Sequence, residues 1–132
     1  MLAAALRDAG AAVVATATAG DDVTQFVAVL DRYAAGADLI ITSGGVSAGA
    51  YEVVKDAFGR AGDQGVEFVK VAMQPGMPQG IGRVAGTPIV TLPGNPVSAL
   101  VSFEVFIRRR CGAPWACRRP TGHGSRRCSP RR

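Results

Sequence analysis

The chain has 132 residues, 48% hydrophobic and 19% charged, enough for one compact domain and too few for two ordinary ones. No run approaches 18 consecutive apolar residues, and the Ala-rich stretch Met1 to Gly20 carries Arg7 and Asp8, so neither a membrane span nor a secretory signal fits and a cytoplasmic location is expected. The formal charge of +5 is uneven: residues 1–107 hold six basic side chains against ten acidic ones, a net of −4, whereas residues 108–132 hold nine arginines and no acid.

In chain order, Leu2 to Asp8 reads as a short helix stopped by Gly10, and Ala12 to Ala17 as a β-branched run with the length of a strand. Asp21-Asp22 can cap a second helix, in which Val23, Phe26, Val27, Leu30 and Tyr33 share one apolar face. Asp38 to Thr42 is a strand too continuously apolar to have a wet side, as in a parallel sheet covered on both faces. A glycine-rich loop, Ser43 to Ala50, leads to a helix around Tyr51 to Arg60. Val66 to Met73 is a strand, a Pro/Gly-rich turn follows, Gly80 to Val84 is a weak hairpin, and Pro88 to Leu92 is another strand. The last helix is well specified: Asn95 is a good N-cap, Pro96 suits the first helical position, and Val97 to Ile107 is the body.

This alternation predicts an α/β fold of three layers, with helices on both faces of a mostly parallel sheet. In such sheets ligands bind beyond the carboxyl ends of the strands, so the loops at 20–22, 42–47, 74–78 and 92–96 are expected to share one functional edge. The domain is expected to end at residue 107. Residues 108–132 carry all three cysteines and the only His and Trp, but C-x5-C-x5-H-x4-C lacks the C-x2-C pair of a zinc knuckle, and no aromatic interleaving supports a nucleic-acid arm. The Arg, Pro, Gly and Cys bias there suits a disordered end or a GC-rich frame read out of phase.

Each loop offers chemistry beside a purely structural role. Ser43, Gly44, Gly45 and Ser47 bring unobstructed amides and two hydroxyls, suited to an oxyanion, and equally form a tight strand-to-helix turn. Asp21, Asp22 and Glu52 are oxygen ligands of the kind Mg²⁺ prefers, or else an N-cap and first-turn complements to a helix dipole. Two prolines around Gly94-Asn95 fix the backbone where a ligand could approach closely. Lys70, late in its strand, could reach an anion at the edge or simply extend into solvent.

Three ordered motifs, Thr42-Ser43-Gly44-Gly45-Val46-Ser47-Ala48-Gly49-Ala50-Tyr51-Glu52, Lys70-Val71-Ala72-Met73-Gln74-Pro75-Gly76-Met77-Pro78 and Leu92-Pro93-Gly94-Asn95-Pro96-Val97-Ser98, resemble the molybdopterin-binding domain of the MoeA family of molybdopterin molybdotransferases. The resemblance runs from residue 1 to about 108. It implies the last step of molybdenum cofactor assembly: adenylylated molybdopterin and molybdate bind at the domain edge, Mg²⁺ assists, AMP is released and the metal enters the dithiolene. It further implies that Asp21, Glu52 and Lys70 are catalytic and that Asp21, Asp22 and Glu52 face the cation. Thr42, Ser43, Gly44, Gly45, Ser47, Gln74, Pro75, Gly76, Pro93, Gly94, Asn95 and Pro96 then bind substrate, and full-length members form homodimers.

The sequence departs from that pattern at Gln74, where many relatives carry a lysine, and at Ala50, where an acid is frequent. The family's opening strand, ending in Gly-Asp-Glu-Leu, is not found, which predicts an unpaired sheet flank and a fragment of the enzyme. The alternatives are a MogA-type adenylyltransferase, a competence-damage protein sharing the domain, and a non-catalytic pterin-binding module. The Gln-Pro-Gly-Met-Pro and Leu-Pro-Gly-Asn-Pro pair favours the MoeA type.

Overall fold

Apolar periodicity places two helices and four strands close to where the sequence suggests. The structure, a computed structural model, describes residues 1–19, 22–44 and 65–111. The helix expected at 51–60, the loop from Gly45 to Ala50, Gly20-Asp21 and the chain beyond Cys111 lie outside the described residues. The order is α1 (Leu2–Asp8), α2 (Val23–Ala34), β1 (Ile40–Ser43), β2 (Val66–Lys70), β3 (Pro78–Val84), β4 (Thr87–Leu92), α3 (Pro96–Ser102), a π-helical turn (Phe103–Ile107) and α4 (Arg108–Cys111).

The strands form one sheet in the order β1-β4-β3-β2. Helices cover both faces, so the α/β class and the three layers stand. On one face α2 packs Leu30 and Ala34 against Val84 and Ile89, with Phe26, Ile40, Val66 and Phe68 around them. On the other, Leu2, Ala5 and Leu6 of α1, with Ala9 just after it, pack against a core of Leu92, Ala99, Phe103 and Ile107. Ile89, Leu92 and Phe103 are fully buried, and each such side chain contributes about 1.5–3 kcal/mol of apolar burial.

The expectation of a mostly parallel sheet is corrected. Only β1 and β4 run parallel among the described strands, in register Ile40↔Ile89 to Ser43↔Leu92; β2·β3 and β3·β4 are antiparallel. The physical reason is the short turn at Ala85-Gly86, where both residues have positive φ (48° and 81°), the geometry of a two-residue hairpin that reverses the chain. What reads as a weak hairpin is thus the centre of the sheet. Gly80 and Gly82 allow this: a β-carbon at Gly80 would meet Thr91, Phe68 and Val66, and one at Gly82 would strike the backbone of Gly65 and Val66.

Three further differences follow from tertiary context. The strand expected at Ala12–Ala17 does not form; residues 11–19 pair with no described strand, and a cleft of about 920 Å³ separates them from β1. Alternating alanines offer little side-chain surface for strand packing, and Val14 remains 70% exposed. The strand expected over 66–73 stops at Lys70, because β3 begins at its partner Pro78. The last helix continues past residue 107 to Cys111, held by Arg108, which bonds Asp8 at 2.9 Å and Glu104 at 2.5 Å. No helix among the described residues is long and apolar enough to cross a membrane.

Candidate functional site

The carboxyl ends of β1, β2 and β4 lie at one edge, because β1 and β4 are parallel and β2 is antiparallel to β3, which is antiparallel to β4. The loops after Ser43, Lys70 and Leu92 therefore share that edge, although the sheet is mixed. The first and third meet directly. The Gly44 N–H donates to the Leu92 carbonyl at 3.0 Å, and a β-carbon at Gly94 would lie 3.3 Å from Gly44 Cα. Gly44 has φ +93°, a conformation that L side chains rarely adopt. Beneath them the Thr42 hydroxyl donates to the Thr91 hydroxyl at 3.0 Å across the parallel pair.

Local rules set the third loop. The Asn95 side chain accepts from Val97 N at 3.0 Å and Ser98 N at 3.3 Å, and Pro96 occupies the first turn, as its sequence suggests. Pro93 is buried while Gly94, Asn95 and Pro96 are exposed, so this loop presents backbone to solvent.

The second loop contains a cis Gln74–Pro75 peptide and Gly76 at φ +106°. Gly76 is buried: a β-carbon there would come within 2.6 Å of the Met73 methyl and 2.9 Å of Ser102 Oγ. Gln74 and Pro75 are exposed. The structure thus sets Thr42 and Ser43 beside Thr91 and Leu92, brings Gly44 against Gly94, and lays the Gly76 turn along the same edge over α3.

Lys70 is placed apart. It is exposed at the end of β2, at the opposite margin of the sheet from β1, three interstrand spacings or roughly 14 Å from the Ser43-Gly44 turn. Asp22 caps α2, its Oδ1 accepting from Thr24 N at 2.7 Å and Gln25 N at 3.1 Å. Asp21, Gly45, Ser47 and Glu52 lie outside the described residues, and among the described ones no group of three or more His, Cys, Asp or Glu is gathered for a metal.

Two residues not singled out from the sequence sit under the second loop. Gln79 is 6% exposed and donates both amide protons, to the Gly76 carbonyl at 2.8 Å and to Ser102 Oγ at 2.6 Å; Ser102 is fully buried. The available signal was Ser98 and Ser102, two hydroxyls four residues apart on an otherwise apolar helix, which place a polar seam on one face.

Comparison with known proteins places the chain in a family. Residues 1–113 match the family described as a probable molybdopterin binding domain. The chain is 88% identical over 112 residues to molybdopterin molybdenumtransferase 2 of Mycobacterium tuberculosis (strain ATCC 25618 / H37Rv), covering 82% of this chain and 28% of that protein. It is 40% identical over 109 residues to molybdopterin molybdenumtransferase 1 of the same strain, covering 81% and 25%. A crystal structure of the molybdopterin biosynthesis MoeA protein from Pyrococcus horikosii superposes with a TM-score of 0.62 at 28% identity, over 84% of this chain and 28% of that one. The chain thus spans little more than a quarter of the length of these relatives.

Proposed function

The chain belongs to the probable molybdopterin binding domain family, and from that membership we propose that it is the pterin-binding part of a molybdopterin molybdenumtransferase. The whole protein inserts molybdate into adenylylated molybdopterin and releases AMP in the cytoplasm, working as a homodimer. The observation that carries this reading is the contact of Gly44 with Gly94, which joins two of the three family-like loops into one backbone-walled edge.

The residues divide the work by their chemistry. The Gly44 amide is spent on Leu92, so the pterin phosphate is held by the Ser43 and Ser47 hydroxyls and by amides from Gly45 onward. Thr42, Gln74, Pro75, Gly76, Pro93, Gly94, Asn95 and Pro96 shape the pterin side. Lys70, at its distance from Ser43, balances the incoming molybdate oxyanion rather than the phosphate.

The carboxylates suit Mg²⁺ in donor type, and Asp21 and Glu52 would hold it, with Asp22 contributing only the oxygen that its cap leaves over. Held there, Mg²⁺ would supply charge neutralisation for the phosphoanhydride. Asp21 and Glu52 orient the adenylate end, and Asp22 holds the start of α2.

The test is anaerobic titration of the 132-residue chain with molybdopterin, followed by pterin fluorescence. Saturable binding that Ser43→Ala weakens supports the reading, and no saturable change at any concentration up to 1 mM molybdopterin, about −4 kcal/mol, refutes it. Calorimetric titration of Asp21→Asn and Glu52→Gln with MgCl₂ checks the cation assignment: heat retained in both variants refutes it.

A further inference from the structure

Resting on that reading of the loops, we propose that Gln79, acting through Ser102, is the positioning residue that holds the 74–78 loop against the helix carrying the Asn95 loop.

At its depth an apolar side chain is the ordinary solution, since burying an amide costs free energy unless every hydrogen bond is made. Here both Nε2 protons are used, one on a loop carbonyl and one on a helix hydroxyl, and no buried side-chain nitrogen or oxygen among the described residues lacks a partner. A satisfied buried amide of this kind specifies an arrangement that apolar packing alone leaves free to slide. The two ends of the link matter. Gly76 packs closely, and the position of a β-carbon on it would be 3.6 Å from the Ser98 carbonyl, so loop and helix are in contact there. Ser98 is also the residue whose amide the Asn95 side chain caps. Gln79, Ser102, Ser98 and Asn95 thus form a continuous path from one candidate substrate loop to the other. The strand supports it from behind, because Gln79 pairs with Val69 in the β2·β3 ladder.

With the link cut, a ligand spanning both loops must order them as it binds, and affinity falls although no group that touches it has changed. Gln79→Met keeps the shape and removes the donors; Ser102→Ala removes the second acceptor. Leu30→Val, in the core on the opposite face, serves as a control that lowers stability without touching the path. The experiment measures, on the 132-residue chain, molybdopterin affinity by pterin fluorescence and the exchange of the Val71 amide, which bonds the Met77 carbonyl within the loop.

Gln79→Met and Ser102→Ala are each expected to weaken binding about tenfold and to speed Val71 exchange about tenfold relative to core amides such as Ile89, whereas Leu30→Val changes neither ratio. Loss of affinity that merely follows melting temperature across all three variants, or Val71 exchange unaltered relative to Ile89, overturns the proposal. If the unmutated chain shows no saturable binding, the functional reading fails by itself, and the Val71 exchange alone still decides whether Gln79 positions the loop.

Discussion

Gly44 and Gly94 touch backbone to backbone across the parallel pair β1·β4, with only 3.3 Å between Gly44 Cα and the place where a Gly94 β-carbon would stand. The contact exists because the register Ser43↔Leu92 brings both strands to their ends at the same level. A β-carbon added at Gly94 therefore presses on the first loop, whereas one added at Gly44 would meet nothing within 4 Å.

Gly44→Ala is expected to destabilise the fold by about 1–2 kcal/mol, since φ +93° is a left-handed conformation costly for an L side chain. Gly94→Ala has no such strain, so it should lower the melting temperature less while still weakening molybdopterin binding by wedging the loops apart. Thermal denaturation of both variants, read beside pterin affinity, checks the order; equal losses of stability would contradict it.

Asn95→Ala removes the acceptor of the Val97 and Ser98 amides and should cost about 1 kcal/mol, a Tm fall of roughly 3–6 °C. Asn95→Asp keeps the acceptor, adds a negative charge at the helix N-terminus, and is expected to melt no lower than the parent. A melting curve for Asn95→Ala that overlays the parent's would remove the cap from the account.

Ala85 sits at φ 48° in the hairpin turn between β3 and β4. Asn tolerates that conformation better than Ala, so Ala85→Asn is expected to stabilise the chain by about 0.5–1 kcal/mol. The measurement is the urea midpoint, which should rise with an unchanged slope; a fall would show that the side chain at position 85 matters for something other than backbone conformation.

Burial pushes the Cys111 thiol up from its ordinary range, and the Arg108 charge opposes this more weakly. The folded chain therefore holds the thiol proton more tightly than the unfolded chain does. By linkage, the stability tied to the neutral thiol is complete below the unfolded value, near pH 9, and is lost as pH rises through the higher folded value. Urea midpoints between pH 7 and 10 under reducing conditions should decline more steeply for the parent than for Cys111→Ala. Parallel declines would mean that this thiol is not coupled to folding.

Elements governed by local rules were legible in the sequence: the capped start of α2 at Asp22, the Asn95-Pro96 entry to α3, and the apolar run that becomes β4 all stand within a residue or two of their expected places. The Pro-Gly turn at Gly76 was legible too, since few other residues fit its φ of +106°. Strand direction was not. Whether β3 runs with or against β4 depends on the turn at Ala85-Gly86 and on pairing partners elsewhere in the chain, and periodicity is the same either way. The same limit hid the separation of Lys70 from Ser43, because strand order sets it and neighbours in space are not neighbours in sequence. It hid Gln79, a polar residue whose partners Gly76 and Ser102 become visible only once sheet and helix are packed. It also hid the anchoring of Arg108 to Asp8, 100 residues away, which carries the last helix beyond the point where composition alone ends the domain. The sequence by itself determined the family and the residue types of the loops. Tertiary structure decided which of them meet, because long-range backbone pairing and the satisfaction of buried polar groups are properties of the packed molecule and not of any local segment.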